Sequence, residues 1–134
     1  MTERYDLVVI GGGSGGLAHA QRAAEYGAKA AIVEKGPLGG TCVNVGCVPK
    51  KVMWYAAQLA HAVDDAAGFG IPASRGSTSW QTLVARRDAY IDDINAYWDR
   101  HVDEQGIDRI HGRARFVDAR TVAVNGEYFT ADHS

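Results

Sequence analysis

The sequence has few cysteines and few prolines, and neither charge dominates it. Its 134 residues include 2 cysteines and 3 prolines, and 14 basic against 16 acidic side chains give a formal net charge of −2. That balance argues against a nucleic-acid-binding protein, which would carry a surplus of Lys and Arg. No apolar run approaches the ~18 residues of a membrane helix. No signal peptide is apparent either, so we expect a cytoplasmic protein that does not enter membranes.

Glycine is the residue in excess, and its distribution is uneven. Ten of the 16 glycines fall between Gly11 and Gly46. A local excess of glycine is typical of backbone that passes close to another group. The flanking segments are an apolar run at residues 5–10, an alanine-rich helical stretch that stops at Gly27, and a second short apolar run at residues 29–34. This order predicts a β-α-β unit with parallel strands.

Two helices are predicted in the middle of the chain. Apolar residues recur at helical spacing over residues 48–62 and again over residues 79–105. Ser79 or Thr78 is the expected N-cap of the second helix, and Gly106 is its expected stop. The apolar stripe of that helix is Leu83, Val84, Tyr90, Ile91, Ile94, Trp98 and Val102.

The remaining segments are predicted to be loops and short strands. Residues 35–46 are rich in Gly, and residues 68–79 are rich in Gly, Pro and Ser, so both are expected to be loops. Four strands are expected near the C-terminus, at residues 107–110, 113–118, 121–124 and 127–131. The last two flank Asn125-Gly126, which is a strong signal for a two-residue hairpin turn.

A glycine motif lies between the first predicted strand and the first helix. Gly11-x-Gly13-x-x-Gly16 permits a tight turn, a close approach of a pyrophosphate, and close packing of the helix on the strand. The first N–H groups of the helix then face the phosphates, and Ser14 can add a hydroxyl donor. Glu34 ends the second strand, where its carboxylate can bind ribose hydroxyls and repel a 2′-phosphate. We therefore expect an FAD- or NAD-type site; the alternative is a tight turn without a ligand.

The two cysteines, Cys42 and Cys47, are five positions apart. A straight helix would aim their side chains in different directions, so a disulfide requires a broken turn, which Gly46 and Pro49 favour. A zinc site is one alternative but needs about four ligands, and two inert thiols are another. In a reducing compartment a redox-active pair is favoured. Lys50 can promote the thiolate, although it can equally be a solvated lysine.

The chain resembles the flavoprotein disulfide reductases, the pyridine-nucleotide disulfide oxidoreductases, in GGGSGG at residues 11–16 and GGTCVNVGCVPK at residues 39–50. It is most similar to the glutathione reductase branch in KKVMWYAA at residues 50–57 and RDAYIDDINAYW at residues 87–98. The resemblance implies an α/β fold of the Rossmann-like FAD-binding type, with a βαβ opening, a parallel sheet with helices and a C-terminal antiparallel β-meander. Because members of the family are several times longer, it implies a truncated unit. Residues 1–134 would form the N-terminal part of the FAD-binding domain, without the nicotinamide and dimer-interface domains.

The resemblance also implies roles for individual residues. Cys47 corresponds to the sulfur against the flavin, Cys42 to the outer thiol that attacks the substrate, and Lys50 to a lysine beside the flavin ring. The implied reaction is the NADPH-dependent reduction of glutathione disulfide by a homodimer, and the general acid corresponds to no histidine of this chain. The residues implied to contact FAD are Gly11, Gly13, Ser14, Gly15, Gly16, Glu34, Gly40, Thr41, Cys42, Cys47, Lys50 and Ala114.

The substrate contacts implied by the resemblance are Ser14, Gln21, Tyr90 and Trp98. Trp98 stands where glutathione reductases usually have a tyrosine, and Gln21 where some members have an arginine that meets a glutathione carboxylate. The alternatives are a reductase of the thioredoxin, trypanothione, dihydrolipoamide or mercuric type, or a non-catalytic nucleotide-binding module. Pro-Lys-Lys after the second cysteine argues against the dihydrolipoamide and mercuric types, which usually have Pro-Ser-Lys.

Overall fold

Strands alternate with helices in the first part of the chain and follow one another in the last part. The computed structural model describes residues 2–133. The strands are β1 (Thr2–Ile10), β2 (Ala30–Glu34), β3 (Asp108–His111), β4 (Arg115–Phe116), β5 (Thr121–Val124) and β6 (Glu127–His133). The helices are α1 (Ser14–Glu25), α2 (Gly40–Val45), α3 (Cys47–Asp65), a 3₁₀ turn at Ala66–Phe69, and α4 (Trp80–Glu104).

The strands form one sheet in the order β3-β2-β1-β6-β5-β4. β1 runs parallel to both β2 and β6, and β3 runs parallel to β2 at the edge opposite β4. β4, β5 and β6 form an antiparallel meander. Its turn at Asn125-Gly126 has φ angles of 52° and 87°, as a type I′ hairpin requires. The expected Rossmann-like α/β architecture is therefore confirmed.

The core lies on both faces of the sheet, because alternate residues of β2 point to opposite sides. Ala31 and Val33 of β2 pack on one face and Ile32 on the other. One cluster is Tyr5, Val8, Ala31, Val33, Val122, Val124, Phe129 and Ala131. The other, which includes α1 and α4, is Leu17, Ala20, Ile32, Leu38, Val102 and Ile107. Burial on both faces fixes the positions of β1 and β2, and with them the glycine turn that follows β1 and Glu34 at the end of β2.

The prediction of a loop over residues 35–46 was wrong, since α2 forms within it. The helix has only six residues, and its N-cap Gly39 makes no side-chain cap bond. The Asn44 side chain binds the carbonyl oxygens of Leu38 and Gly40, at 3.3 Å and 2.9 Å. A side-chain bond of this kind stabilises a helix that is too short to persist by itself. Six residues are also too few to show a helical period in the sequence, so the pattern did not predict α2.

The two long helices agree with the predictions, with small differences. α3 extends past its predicted end. It tolerates Pro49, which has no N–H, because N–H groups in the first turn of a helix have no acceptor within the helix. Ser79 is the N-cap of α4, where its hydroxyl accepts a hydrogen bond from the Thr82 N–H at 3.2 Å. Tyr90, which the spacing predicts to lie in the apolar stripe, is 53% exposed. Its ring is therefore available on the surface of α4.

Candidate active site

The turn between β1 and α1 leaves the N-terminus of α1 open. Gly13 is the N-cap residue, it makes no side-chain cap bond, and the first helical turn contains no acidic residue. A Cβ at Gly16 would collide with the carbonyl oxygen of Gly11, so the absence of a side chain lets α1 begin directly against β1. The free N–H groups and the dipole of the helix favour an anion such as a pyrophosphate. Ser14 is exposed at this same end.

Glu34 lies beside this turn and is held by backbone donors. Its Oε2 accepts a hydrogen bond from the Gly12 N–H at 2.7 Å, and its Oε1 accepts one from the Gly36 N–H at 2.8 Å. Burial raises the pKa of Glu34, but the N–H groups of Gly12, Gly36 and Lys35 outweigh burial and hold that pKa below its usual value. The carboxylate is therefore ionised at neutral pH, and each oxygen keeps a lone pair for a further donor.

Glu34 and Ala114 line the same cleft, although they are far apart in the sequence. The cleft has a volume of 220 Å³, and its lining residues are Ile10, Gly11, Val33, Glu34, Lys35, Gly112, Arg113 and Ala114. The Gly112 N–H donates to the Glu34 carbonyl oxygen at 3.0 Å, which ties the segment after β3 to the end of β2. The cleft thus joins the glycine turn, an acidic side chain and the backbone of Ala114.

The helix breaks between the two cysteines. α2 ends at Val45, and Gly46 has φ −128° and ψ −108° before α3 begins. The Cα atoms of Cys42 and Cys47 are 4.6 Å apart, and the two sulfurs form a disulfide. In an unbroken helix, residues five positions apart would be separated by ~7.5 Å along the axis. The change of direction at Gly46 is therefore what makes the disulfide possible.

The cysteine segment packs directly on the glycine turn. The Gly39 N–H donates to the Gly12 carbonyl oxygen at 2.8 Å. A Cβ at Gly40 would lie 2.7 Å from the Gly13 Cα, so the two backbones meet at a distance that only glycine allows. Thr41, the next residue, is exposed. The disulfide segment and the candidate phosphate site are therefore neighbours in space.

A cavity of 760 Å³ lies along α3 beside the disulfide. Its lining residues are Cys47, Val48, Lys50, Lys51, Val52, Tyr55, Ala56, Leu59 and Tyr90. Lys50 shares the wall with Cys47, and Tyr90 adds an aromatic ring from α4. Cys47 is exposed on this wall, whereas Cys42 is half-buried. The cavity thus combines one cysteine of the disulfide with two lysines and a largely apolar floor.

Comparison with known proteins explains why three features occur together here. They are a β-α-β unit with an open helix N-terminus, an acid at the end of β2, and an adjacent disulfide. Residues 5–134 match the sequence profile of the pyridine nucleotide-disulphide oxidoreductases. The chain belongs to this family. The contact between Gly13 and Gly40 joins the two parts of the candidate site.

Three similar proteins of this family carry the name glutathione reductase. The chain is 50% identical to that of Schizosaccharomyces pombe over 123 residues, which is 90% of this chain and 26% of the relative. It is 46% identical to that of Debaryomyces hansenii, over 87% of this chain and 25% of the relative. It is 47% identical to that of Yarrowia lipolytica, over 82% of this chain and 24% of the relative. The chain spans about a quarter of the length of the curated relatives it matches.

The candidate substrate residues lie in different places. Tyr90 lines the cavity beside Cys47. Gln21 and Trp98 instead both contact His101. The Gln21 Oε1 is 3.2 Å from the His101 Nε2, and the Trp98 and His101 rings meet edge-on with their centroids 5.6 Å apart. The structure thus brings together the two positions that depart from the pattern of the glutathione reductase branch.

Sequence reasoning missed three polar residues near the site. Asn44 and Asn95 hydrogen-bond to each other at 3.0 Å, and His101 lies between Gln21 and Trp98. Asn95 had a visible signal, because it interrupts the apolar stripe of α4 one turn after a buried isoleucine. His101 lies three residues after Trp98, but its partner on α1 could not be inferred without the tertiary structure.

A zinc site, the alternative for the cysteine pair, would need further ligands nearby. Within residues 2–133, no group of three or more His, Cys, Asp and Glu side chains is arranged to hold a metal ion. The two sulfurs are bonded to each other.

Within residues 2–133, no helix has the length and apolar character needed to cross a membrane.

Proposed function

We propose that this chain is the N-terminal part of the FAD-binding domain of an enzyme that reduces glutathione disulfide with NADPH. The observation that carries the proposal is the Cys42–Cys47 disulfide, which lies on a segment packed against the glycine turn. The names of the relatives support glutathione disulfide as the substrate. The nicotinamide site and the homodimer interface would belong to parts of the enzyme outside this chain.

The residues of the chain fit FAD. The open N-terminus of α1, with Ser14, Gly15 and Gly16 in its first turn, offers N–H donors to a pyrophosphate. The ionised Glu34 has lone pairs left for the ribose hydroxyls of the adenosine. Ala114 lies in the same cleft, where its backbone would meet the adenine. Bound FAD would supply the two electrons that pass from NADPH to the disulfide.

The cysteines would carry the exchange chemistry once the pair is reduced. The Cys42 thiolate attacks one sulfur of glutathione disulfide, the substrate S–S bond breaks, and one glutathione leaves as a thiolate that takes a proton. The Cys47 thiolate then attacks the Cys42 sulfur of the mixed disulfide. The second glutathione leaves, and the Cys42–Cys47 bond re-forms, so the pair returns to the oxidised state with the electron count balanced.

Lys50 and the flanking aromatic residues would shape this step. Lys50 shares the cavity wall with Cys47, where its cation favours the thiolate form of a sulfur that a flavin in the cavity would cover. Tyr90 lies on the same wall and can pack against a substrate. Trp98 and Gln21 would meet the glutathione arms from the α1–α4 side, with His101 between them.

The test is the substrate preference of the complete enzyme that contains this chain. NADPH oxidation is followed with glutathione disulfide, trypanothione disulfide, lipoamide or thioredoxin as the acceptor. We expect turnover of ~1 s⁻¹ or more with glutathione disulfide and at least tenfold lower kcat/KM with the others. The isolated 134-residue chain should show no turnover. A higher kcat/KM with another disulfide, or no disulfide reduction at all, would contradict the proposal.

A further inference from the structure

Two side-chain amides join α4 to the segment that carries the cysteines. The Nδ2 of Asn95 donates to the Leu38 carbonyl oxygen at 2.8 Å and to the Asn44 Oδ1 at 3.0 Å. The Nδ2 of Asn44 donates to the carbonyl oxygens of Gly40 and Leu38, at 2.9 Å and 3.3 Å. Both side chains are half-buried. This Asn44–Asn95 amide pair therefore fastens residues 38–44, including Cys42, to a helix that is distant in the sequence.

The helix that bears Asn95 is itself well anchored. Ile91 and Val102, on the same side of α4, are 9% and 1% exposed. In the segment that Asn95 holds, Leu38 is buried in the core, but α2 that follows it has six residues, none of them buried. A helix of this length does not persist by itself. The amide pair thus adds polar bonds between α4 and α2 to the packing of Leu38 and to the contacts of Gly39 and Gly40 with the glycine turn.

We propose that Asn95 and Asn44 are positioning residues that set the dithiol–disulfide equilibrium of Cys42 and Cys47. The proposal rests on the proposed function in one respect, that the pair undergoes reduction. Once the S–S bond is broken, the effective concentration of one thiol at the other depends on how firmly residues 38–44 are held beside the start of α3. The amide pair keeps that concentration high, so it favours the disulfide over the dithiol.

The test measures the equilibrium of the pair directly in dithiothreitol redox buffers. In the exchange, one dithiothreitol is oxidised to its cyclic disulfide while the Cys42–Cys47 bond is reduced to two thiols. The mixture is quenched with iodoacetamide and digested with trypsin. Residues 36–50 form one tryptic peptide that contains both cysteines, so its mass reports the reduced fraction in the 134-residue chain or in a longer enzyme.

Four single variants and one double variant are compared with the unmodified protein. Asn95→Ala removes both donated bonds, and Asn95→Asp keeps the shape of the side chain but replaces the donor with an acceptor. Asn44→Ala removes the other half of the pair. Asp93→Ala, at an exposed position on the same helix, is the control. Circular dichroism and thermal unfolding establish that each variant is folded before its equilibrium is measured.

The three Asn variants should shift the equilibrium constant about tenfold towards the dithiol, which corresponds to ~30 mV for a two-electron couple. Because both amides act on the Leu38 carbonyl, the double variant Asn44→Ala/Asn95→Ala should shift it no further than the larger single effect. The control should stay within twofold of the unmodified protein.

The inference is overturned if the Asn variants match the control, even where their melting temperatures fall, since that would mark a purely structural role. A pair that stays oxidised at every dithiothreitol ratio would overturn both the inference and the proposed function. Shifted equilibria in an enzyme that does not reduce glutathione disulfide would instead contradict the proposed function alone.

Discussion

The β1–α1–β2 unit and the α2–α3 segment are stabilised in opposite ways. Residues 30–33 of β2 are all buried, with exposures of 2% or less. α3 has nineteen residues and no buried side chain, and its Trp54, Tyr55 and Leu59 are 52%, 54% and 70% exposed. The first region depends on apolar packing on both faces, whereas the second combines a disulfide and a few polar bonds with half-buried apolar contacts. The proposed function fits this difference, because binding a nucleotide favours a fixed backbone and a redox-active bond favours a less stable segment.

The largest effects should come from the cysteine side. In the complete enzyme, Cys42→Ser and Cys47→Ser should each lower the reduction of glutathione disulfide at least ~10³-fold, because the exchange requires both sulfurs. The FAD content should not change, since the glycine turn and Glu34 remain. The rate of NADPH oxidation and the flavin absorbance of the purified variants measure the two properties.

The two cysteine variants should also differ from each other. The reduced Cys42→Ser enzyme should keep the long-wavelength absorbance of a thiolate against the flavin. The reduced Cys47→Ser enzyme should lose it and should leave Cys42 more readily alkylated by iodoacetamide. The opposite pattern would mean that the roles of the two sulfurs are exchanged.

The next largest effect should come from the close packing under the glycine turn. Gly16→Ala should lower the free energy of unfolding by about 3 kcal/mol, because the added methyl group collides with the Gly11 carbonyl oxygen. Gly15→Ala is the matched control, since a Cβ there meets no described atom within 4 Å. Alanine is the better helix former by about 1 kcal/mol, so that variant should be as stable or more stable. Urea unfolding measures both, and equal stabilities would contradict the assigned packing.

Removing Glu34 should affect the nucleotide side alone. In the complete enzyme, Glu34→Ala should weaken FAD binding about ten- to a hundredfold, because it loses charge-assisted hydrogen bonds of ~1.5–3 kcal/mol. The alkylation rates of the reduced cysteines should not change. Titration of the apoenzyme with FAD measures the affinity, and Glu104→Ala, at an exposed position on α4, is the control. An unchanged affinity would show that the carboxylate does not hold the ribose.

The lowered pKa of Glu34 predicts a pH dependence of stability. The unfolded chain has the ordinary Glu pKa of ~4.3, and the folded chain has a lower one. The stabilisation by the ionised carboxylate is therefore complete above the unfolded pKa and is lost as the pH falls through the folded pKa. Glu34→Gln should remove this part of the acid sensitivity. Urea midpoints measured between pH 6 and pH 3 should fall less steeply for the variant, and parallel curves would contradict the assignment.

The smallest effect concerns α4, which contributes Val102 to the core and Asn95 to the cysteine segment. Ser79→Ala removes the bond from the Thr82 N–H and should lower the free energy of unfolding by about 1 kcal/mol. Thr78→Ala, at the other candidate cap position, should have no measurable effect. Urea unfolding separates the two candidates. A larger loss in the free energy of unfolding for Thr78→Ala would mean that Thr78 is the N-cap.

Local signals in the sequence were sufficient to predict most of the fold. The β-α-β opening, the stop at Gly27 with φ 83°, the cap at Ser79 and the turn at Asn125-Gly126 each depend on residues that are close together in the chain. The helix within residues 40–45 was missed, because six residues are too few to show a helical period and its support comes partly from Asn95 on another helix.

The same distinction holds for the candidate site. The glycine motif, Glu34 and the cysteine pair have fixed spacings, so the sequence predicted them as possible site residues. The break at Gly46 was expected as a requirement for a disulfide, and the structure has both the break and the bond. The contact of Gln21 with His101 joins two helices at residues 80 positions apart. No local pattern carries such information, since it depends on how α1 and α4 cross.

The central position of β1 has a consequence for how the chain acquires its fold. β1 can pair with β2 once residue 34 has left the ribosome, but its other partner is β6, with Thr2 opposite Tyr128. One hydrogen-bonding edge of the first strand therefore stays open until β6, more than ninety residues after β2, has been synthesised. Open edges attract other strands, and contacts between distant residues form slowly. The interval before β6 docks is thus when the nascent chain is most exposed to misassembly, although β1 is a central strand in the finished sheet.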